Sequence, residues 1–363
     1  MEFLKNIVLF LILLSLIVSI HELGHLLAAK FFGVYCQEYA IGMGPKIWSH
    51  KGKETEFSIR AFPLGGFVAM AGEEDDHLET HVDTADIPYE RTLKGIAKWK
   101  QVIIMLAGIF MNMVLAVVIY SLIILGNGQY AISSKPVITG IVEGSPAEKA
   151  GLQAGDLVDT IAFDNNMSMK PETYVELISF TSIYDGNGPW HMTVIRDGEK
   201  VLIDATPEYS AEEERYLVGI SFGQAAYEVV DVNILNCWKY GFEYAFFILR
   251  MTWSGLLSIF RSRDISSLSG PVGIYNNVAE VATLGFDYYL QLIAMISINV
   301  ALVNALPLPI FDGGRVFLLL IEMIIRRPLS EKAQSIIMSA SLFLLLFLFM
   351  LITFNDVSKL IGG

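Results

Sequence analysis

Two histidines and a glutamate lie inside an apolar stretch near the start of the chain, in the sequence H-E-L-G-H from His21 to His25. The two histidines are one helical turn apart, so on a helix both imidazoles face the same way and can bind one metal ion. Glu22 lies next to the first of them and can accept a proton from water. H-E-x-x-H on a helix is the arrangement of zinc proteases. We therefore predict zinc ligands at His21 and His25 and an acid/base at Glu22.

The apolar surroundings make this motif more informative than its length suggests. Residues 4–29 are long enough to span a bilayer, and an ionisable side chain at the centre of a span costs ~2.5–3.5 kcal/mol. One alternative is a structural polar cluster that ties helices together. Another is a cleaved signal peptide, which is disfavoured because the apolar run exceeds the usual ~7–15 residues.

The composition of the whole chain indicates a membrane protein. Of its 363 residues, 53% are hydrophobic and 17% are charged, against about a quarter charged in soluble domains. Four stretches are long and apolar enough to span, near 4–29, 101–125, 288–310 and 334–353. The formal charge of −13 disfavours a nucleic-acid partner, because no basic face is available for phosphates.

A third metal ligand is predicted at Asp312, just past the third span. Pro307 and Pro309 break that helix, and we expect Gly313-Gly314 to prevent its simple resumption. Spans one and three cross in the same direction, so Asp312 and the histidines fall at similar depth. Broken backbone at membrane depth is tolerated only where protein buries it or water reaches it.

Residues 128–208 have the character of a small soluble domain. The stretch from Gly144 to Val158, "GSPAEKAGLQAGDLV", resembles the PDZ domains of bacterial proteases. A hairpin is predicted to turn at Asp197-Gly198. PDZ domains bind extended peptides by strand addition, so a peptide or protein partner is expected there. The alternative is a small mixed domain without a ligand.

The remaining segments are assigned by their patterning. Residues 57–61 alternate as a strand that we expect to end at Pro63 and Gly65-Gly66. Residues 232–262 are aromatic but interrupted by charges, which favours a helix in the membrane interface. The predicted domains are residues 1–127 with two spans, the H-E-x-x-H motif and a membrane-associated β-loop; 128–208, PDZ-like; 209–287, amphipathic interfacial helices; and 288–363 with the last two spans.

The positions of basic residues predict the orientation in the membrane. Arg91, Lys94 and Lys98 precede the second span, and Arg326 and Arg327 precede the fourth. Short loops rich in Lys and Arg stay in the cytoplasm. The PDZ-like domain is then extracytoplasmic, and the H-E-x-x-H motif lies near the cytoplasmic side of a bacterial cell membrane.

Taken together, the motifs resemble the site-2 protease family of intramembrane zinc metalloproteases. The resemblance rests on "HELGHLLAAKFFGV", "GMGPKIW", "FPLGGFVAMAGEED", "AGIFMN", "SGPVGI" and "NALPLPIFDGG", and it covers nearly the whole chain. It implies that one Zn²⁺ is held by His21, His25 and Asp312, with Glu22 as acid/base. It also implies that Asn304 holds the substrate or an oxyanion, with Asn299 a further candidate. Phe62, Leu64, Gly65 and Gly66 are the implied substrate-binding strand.

The resemblance implies a polytopic α-helical membrane protein with about four spans, a membrane-associated β-loop and one extracytoplasmic PDZ-like α+β domain. Its expected activity is hydrolysis of peptide bonds within or near the spanning helix of single-span membrane proteins. Expected substrates are anti-sigma factors or remnant signal peptides, trimmed beforehand by another protease. Many relatives have two PDZ domains, whereas this chain has room for one, and Phe311 stands where the family usually has leucine. The alternative function is a non-catalytic membrane adaptor that bears a PDZ domain.

Overall fold

The computed structural model describes residues 2–362 except 74–86, 134, 165–166, 185, 211–212, 214, 223–226, 263–269 and 328. The acidic run after Gly72 has a charge density that predicts a solvated loop, and most of it lies outside the described residues. The helices are α1 (Glu2–Phe31), α2 (Lys98–Asn127), α3 (Pro146–Lys149), α4 (Tyr174–Thr181), α5 (Cys237–Ser262), α6 (Pro271–Leu284), α7 (Phe286–Asn304), α8 (Asp312–Ile325) and α9 (Glu331–Gly362).

The strands fall into several small sheets. They are β1 (Cys36–Lys51), β2 (Glu56–Met70), β3 (Gln129–Ser133), β4 (Gly140–Ile141), β5 (Leu157–Ala162), β6 (Ser168–Met169), β7 (Trp190–Arg196), β8 (Glu199–Ala205), β9 (Glu208–Ser210), β10 (Arg215–Leu217), β11 (Ile220–Ser221) and β12 (Tyr227–Asp231). The chain divides into two compact units. The membrane unit comprises Met1–Ile123, Gly241–Leu249 and Asp264–Gly363, and the second unit comprises Ile124–Tyr240 and Arg250–Arg263.

Among the described residues, four helices are long and apolar enough to cross a membrane, as predicted. They are Phe3–Phe31, Lys98–Asn127, Phe286–Asn304 and Lys332–Phe354. The third ends at Asn304, not near residue 310 as predicted from its apolar composition. Pro307 explains the difference, because the residue before a proline is pushed out of the helical region. The helix therefore stops before its apolar sequence does.

The membrane unit is held together by helix packing around α1, α2 and α7. Its largest buried cluster includes Leu13 and Ile17 of α1, Ala116 of α2 and Ile298 of α7. The Tyr289 hydroxyl donates to the Leu9 carbonyl over 2.7 Å, a bond between α7 and α1. Close helix packing of this kind is what positions polar side chains inside a bilayer, where unmet hydrogen bonds are costly.

The pair of strands β1 and β2 differs from the prediction, because β2 continues through Pro63 and Gly65-Gly66 to Met70. The strand does not end there because Gly65 takes a φ of +85° and bends it. Residues 38–41 then have partners on both sides, residues 56–59 and residues 66–69. The result is a folded-back ribbon instead of a short strand.

A buried ion pair stabilises this ribbon. Glu38 is 1% exposed, and its Oε1 accepts hydrogen bonds from the Arg60 Nη2 at 3.0 Å and the Ser58 hydroxyl at 2.5 Å. The guanidinium of Arg60 also donates to the Gly44 carbonyl and lies 4.8 Å from the centre of the Phe67 ring. Removing one partner of such a pair leaves an uncompensated buried charge. Loss of either Glu38 or Arg60 is therefore expected to destabilise the ribbon.

The second unit is built on a four-stranded sheet in the order β6-β5-β7-β8. The predicted hairpin at Asp197-Gly198 is confirmed: both residues have positive φ, and Arg196 pairs with Glu199. Ser145 caps α3, accepting a hydrogen bond from the Glu148 amide, with Pro146 at the first helical position. The core cluster contains large apolar side chains, among them Ile161, Leu177, Trp190, Met192 and Val194.

A buried carboxylate ties the start of β5 to the end of β7 in this unit. The Arg196 guanidinium donates to Asp156 Oδ1 at 2.7 Å and to Oδ2 at 2.8 Å. This bidentate pairing lowers the pKa of the Asp156 carboxyl below its usual value. Asp156 therefore stays ionised and holds the two strand ends together at neutral pH.

Candidate metal centre

Two imidazoles of α1 converge on one point inside the membrane unit. His21 and His25 are 7% and 6% exposed, and their Nε2 atoms lie 3.2 Å apart. The spacing of four residues places both rings on the same helical face, as the sequence predicts. At this distance the two Nε2 atoms cannot both be protonated, because their N–H groups would point at each other.

Asp312 completes this group from the first position of α8. Its Oδ2 lies 2.9 Å from the Nε2 of His21 and 3.3 Å from the Nε2 of His25. The prediction that Gly313-Gly314 prevents resumption of the helix is wrong, since α8 begins at Asp312 and runs through both glycines.

The two glycines serve a different purpose, which is close approach. A Cβ at Gly313 would lie 2.4 Å from the Ala305 carbonyl oxygen, and one at Gly314 would lie 2.1 Å from that of Leu308. The first turn of α8 thus packs directly on the backbone that follows α7. Asp312 is held at the histidines by this contact.

The distances fit a tetrahedral zinc site. Two atoms bonded to one tetrahedral ion at ~2.0–2.1 Å lie about 3.3 Å apart. The three atom pairs here lie 2.9, 3.2 and 3.3 Å apart. Two neutral imidazoles and one carboxylate are also the kind of donor set that a catalytic zinc takes, with a fourth position open.

The helix α2 leaves room beside these ligands. A Cβ added at Gly108 would lie 2.5 Å from the Nε2 of His25 and 2.8 Å from the Cε1 of His21. Any larger residue would therefore occupy the space next to the ligand atoms. The Nδ1 of His25 donates to the Ile104 carbonyl over 2.8 Å, which leaves the lone pair of that ring on Nε2, toward the ligand group.

Glu22 lies beside the ligands and faces the same space. Ligand atoms of His21, Glu22 and His25 all lie within 4.8 Å of one another. The three residues line a cavity of about 330 Å³ together with Asp312 and Asn304. This volume admits water and an extended stretch of peptide, and Glu22 is placed to exchange a proton with a molecule in it.

A strand edge forms another wall of the cavity. Gly66, Phe67, Val68 and Met70 line it. Among the described residues, 66–70 pair with β1 along one side only. A Cβ at Gly66 would lie 3.8 Å from the Cγ of Glu22, so this edge runs directly past the glutamate. In the described part of the chain, an unpaired strand edge of the kind that binds extended peptides therefore lies next to Glu22.

The structure brings some, but not all, of the predicted substrate residues to the cavity. Asn304, the last residue of α7, and Gly66 line it. Phe62, Gly65 and Asn299 are not among the lining residues. The side chain of Leu64 lies outside the described residues. The part of β2 at the cavity is thus residues 66–70, which overlaps the predicted segment only at Gly66.

Sequence reasoning missed two charged residues that line the cavity, Arg315 and Glu73. The Arg315 Nη1 donates to Glu73 Oε1 over 2.6 Å, which ties α8 to the chain that follows β2. Arg315 is three residues after Asp312 on the same helical face, so the helix period could have indicated it. No local pattern connects Glu73 with it, because they lie 242 residues apart.

These features define a class of protein: a membrane metallopeptidase whose catalytic motif lies on a candidate span. Comparison with known proteins is consistent with this class. Residues 9–348 match the family model described as Peptidase family M50. The chain therefore belongs to peptidase family M50, the site-2 protease family, as its motifs predict.

Relatives that align with nearly the whole chain carry matching names. The chain is 28% identical to the regulator of sigma-W protease RasP of Bacillus subtilis, with 99% of each chain covered. It is 29% identical to the zinc metalloprotease RasP of Bacillus licheniformis, over 98% of this chain and 99% of that one. It is also 29% identical to the zinc metalloprotease RasP of Geobacillus kaustophilus, over 99% of each. The protein is a zinc-dependent intramembrane endopeptidase, and its cofactor is zinc.

Proposed function

We propose that His21, His25 and Asp312 hold the catalytic zinc and that Glu22 is the acid/base of peptide hydrolysis. The observation that carries this proposal is the convergence of three ligand atoms within 3.3 Å, beside Glu22, in one cavity. When bound there, zinc supplies Lewis-acid chemistry, which polarises a peptide carbonyl and makes water a nucleophile near neutral pH.

Residues of the protein have separate roles in the reaction. Glu22 takes the proton of the attacking water and returns it to the departing amine. Asn304 has an amide that can donate a hydrogen bond to the carbonyl oxygen as negative charge develops on it. The strand edge at residues 66–70 holds the substrate backbone extended, because a peptide in a helix has its carbonyls and amides already paired.

Zinc content tests the ligand assignment. Alanine at His21, His25 or Asp312 is expected to lower the zinc content of the purified protein to well below one ion per chain, because a catalytic site has three protein ligands. Metal analysis of the detergent-purified full chain measures this. A matched control is Asp287→Ala, at the start of α7 and outside the cavity. Full zinc content in the Asp312 variant would show that the carboxylate is not a ligand.

The proposed substrates are single-span membrane proteins whose helix unwinds at the strand edge. The Bacillus subtilis relative is named for regulation of a sigma factor, which makes an anti-sigma factor one candidate substrate; a remnant signal peptide is another. Glycine is about 1 kcal/mol poorer than alanine in a helix, so unwinding becomes roughly 5-fold easier for each glycine introduced. A model substrate with glycines around the cleaved bond should be cut correspondingly faster. Equal rates for glycine and leucine versions would contradict unwinding at the edge.

We further propose that residues 128–208, within the second unit, form a PDZ-like domain on the extracytoplasmic side. Basic residues before α2 and α9 support the orientation, because such loops stay in the cytoplasm. In this role the domain admits substrates whose outer portion has already been trimmed. Labelling of single cysteines in intact cells, at Lys94 and in the β7–β8 hairpin, distinguishes the two sides.

A deletion guided by the strand pairing tests the filter. Ser133 pairs with Tyr227 at the ends of β3 and β12, so residues 134–226 can be replaced by Asn-Gly to close a hairpin. The shortened protein is expected to cut substrates with large and small outer domains at similar rates. The full chain should prefer the small ones. Unchanged discrimination after the deletion would exclude a filtering role.

A further inference from the structure

The helix α2 carries three residues at steps of four that all face the two histidines. Ile104 provides the carbonyl that accepts from His25, Gly108 leaves room beside both rings, and Asn112 approaches His21. Residues four apart share one face of a helix. This face of α2 therefore lies against both imidazole rings of α1.

Asn112 is fully buried and has an unused acceptor. It is 0% exposed, and its side-chain nitrogen lies 3.3 Å from the Nδ1 of His21. Its Oδ1 is buried and has no hydrogen-bond partner among the described residues. The oxygen and nitrogen of an asparagine amide are interchanged by a half-turn of the group, and their assignment follows from the hydrogen-bond network.

The tautomer that His21 needs as a zinc ligand decides between the two orientations of the Asn112 amide. Nε2 is the atom of His21 that faces Asp312 and His25, so it must present a lone pair to bind zinc. A neutral imidazole then carries its proton on Nδ1. An Nδ1–H facing an amide N–H₂ has no acceptor, whereas an Nδ1–H facing Oδ1 has one. His25 already has such an acceptor in the Ile104 carbonyl.

We propose that Asn112 is a positioning residue of the zinc centre, whose Oδ1 accepts the Nδ1–H of His21 and so directs the Nε2 lone pair at the metal. This inference rests on the proposed ligand set. A partner of this kind fixes both the tautomer and the ring orientation of a ligand histidine, and its loss lowers metal affinity by about 10–100-fold.

The experiment compares zinc affinity across variants of the full chain in detergent, by competition with a chromogenic chelator. Asn112→Leu matches the size of the amide without an acceptor and is expected to bind zinc about 10–100-fold more weakly. Asn112→Asp keeps an oxygen toward Nδ1 and should remain near the wild-type affinity. Asn112→Ala removes the acceptor without adding bulk, so it replaces the leucine variant if that protein does not fold.

Ser297→Ala is the matched control. The Ser297 hydroxyl donates to the Asn112 backbone carbonyl over 2.9 Å, so its loss disturbs the same place in α2 without touching His21. This variant should keep its zinc affinity. In the cobalt-substituted protein, the visible absorption should change in Asn112→Ala but not in Ser297→Ala.

Three outcomes separate failure of this inference from failure of the proposed function. If His21→Ala loses zinc while Asn112→Ala and Asn112→Leu bind it as tightly as the wild type, the positioning role is wrong and the ligand set stands. If the aspartate variant loses as much affinity as the leucine variant, the acceptor is not what Asn112 contributes. If His21→Ala keeps its zinc, the ligand set itself is wrong.

Discussion

Replacement of Glu22 by glutamine is expected to reduce cleavage of a model single-span substrate by ~10²–10⁴-fold. Glutamine has nearly the same size and cannot take a proton from water, so the zinc content and the melting temperature should be unchanged. The measurement is a cleavage assay with purified enzyme and substrate in detergent or liposomes, with metal analysis of the same sample. The cavity position of Glu22 beside His21 and His25 is the physical basis of this expectation.

Glu22→Asp provides the matched comparison, since it keeps a carboxylate but withdraws it by one methylene. It is expected to retain more activity than the glutamine variant, because proton transfer remains available over a longer distance. Cleavage by the glutamine variant at the wild-type rate would assign the acid/base to another group.

Replacement of Gly108 by alanine is expected to abolish both zinc binding and cleavage. The added Cβ would lie 2.5 Å from the Nε2 of His25, closer than real Cβ contacts come, so the ring or the helix must shift. A catalytic site that is displaced by even 1 Å loses on the order of 10²-fold in rate. Zinc content and cleavage rate of the purified protein measure the effect.

Gly126→Ala in the same helix is the control. A Cβ there has nothing within 4 Å, so the substitution adds the same methyl group in open space. Alanine is also about 1 kcal/mol better than glycine in a helix interior, so neither variant should lose helix stability from propensity. Loss of zinc in both variants would show that the effect of Gly108→Ala is not local to the histidines.

Candidate site residues could be predicted from the sequence where a polar side chain and a local structural pattern occur in the same short stretch. His21 and His25 could be predicted because a spacing of four on an apolar helix leaves few alternatives. Asp312 could be predicted because Pro307 and Pro309 interrupt a span just before a carboxylate. In both cases a polar group in a costly environment is visible without any knowledge of its neighbours.

Contacts between elements that are far apart in the sequence could not be predicted from such local patterns. The approach of Gly108 and Asn112 to the histidines depends on how α2 packs on α1, which no periodicity in either helix specifies. The course of β2 past Gly65 depends on a left-handed backbone conformation and on pairing with both sides of residues 38–41. Pro63 and Gly65-Gly66 predict the end of a strand because such residues are uncommon inside strands.

The proposed ligand set comes from distant parts of the polypeptide, because His21 and Asp312 are 291 positions apart in the sequence. A ribosome that inserts the chain from its amino end therefore exposes the histidines to the membrane long before the carboxylate exists. With the proposed ligand set, a nascent chain without α8 lacks one of the three ligands, so its hydrolytic centre is incomplete. Newly made copies thus become able to cut other membrane proteins only at the close of their own biogenesis.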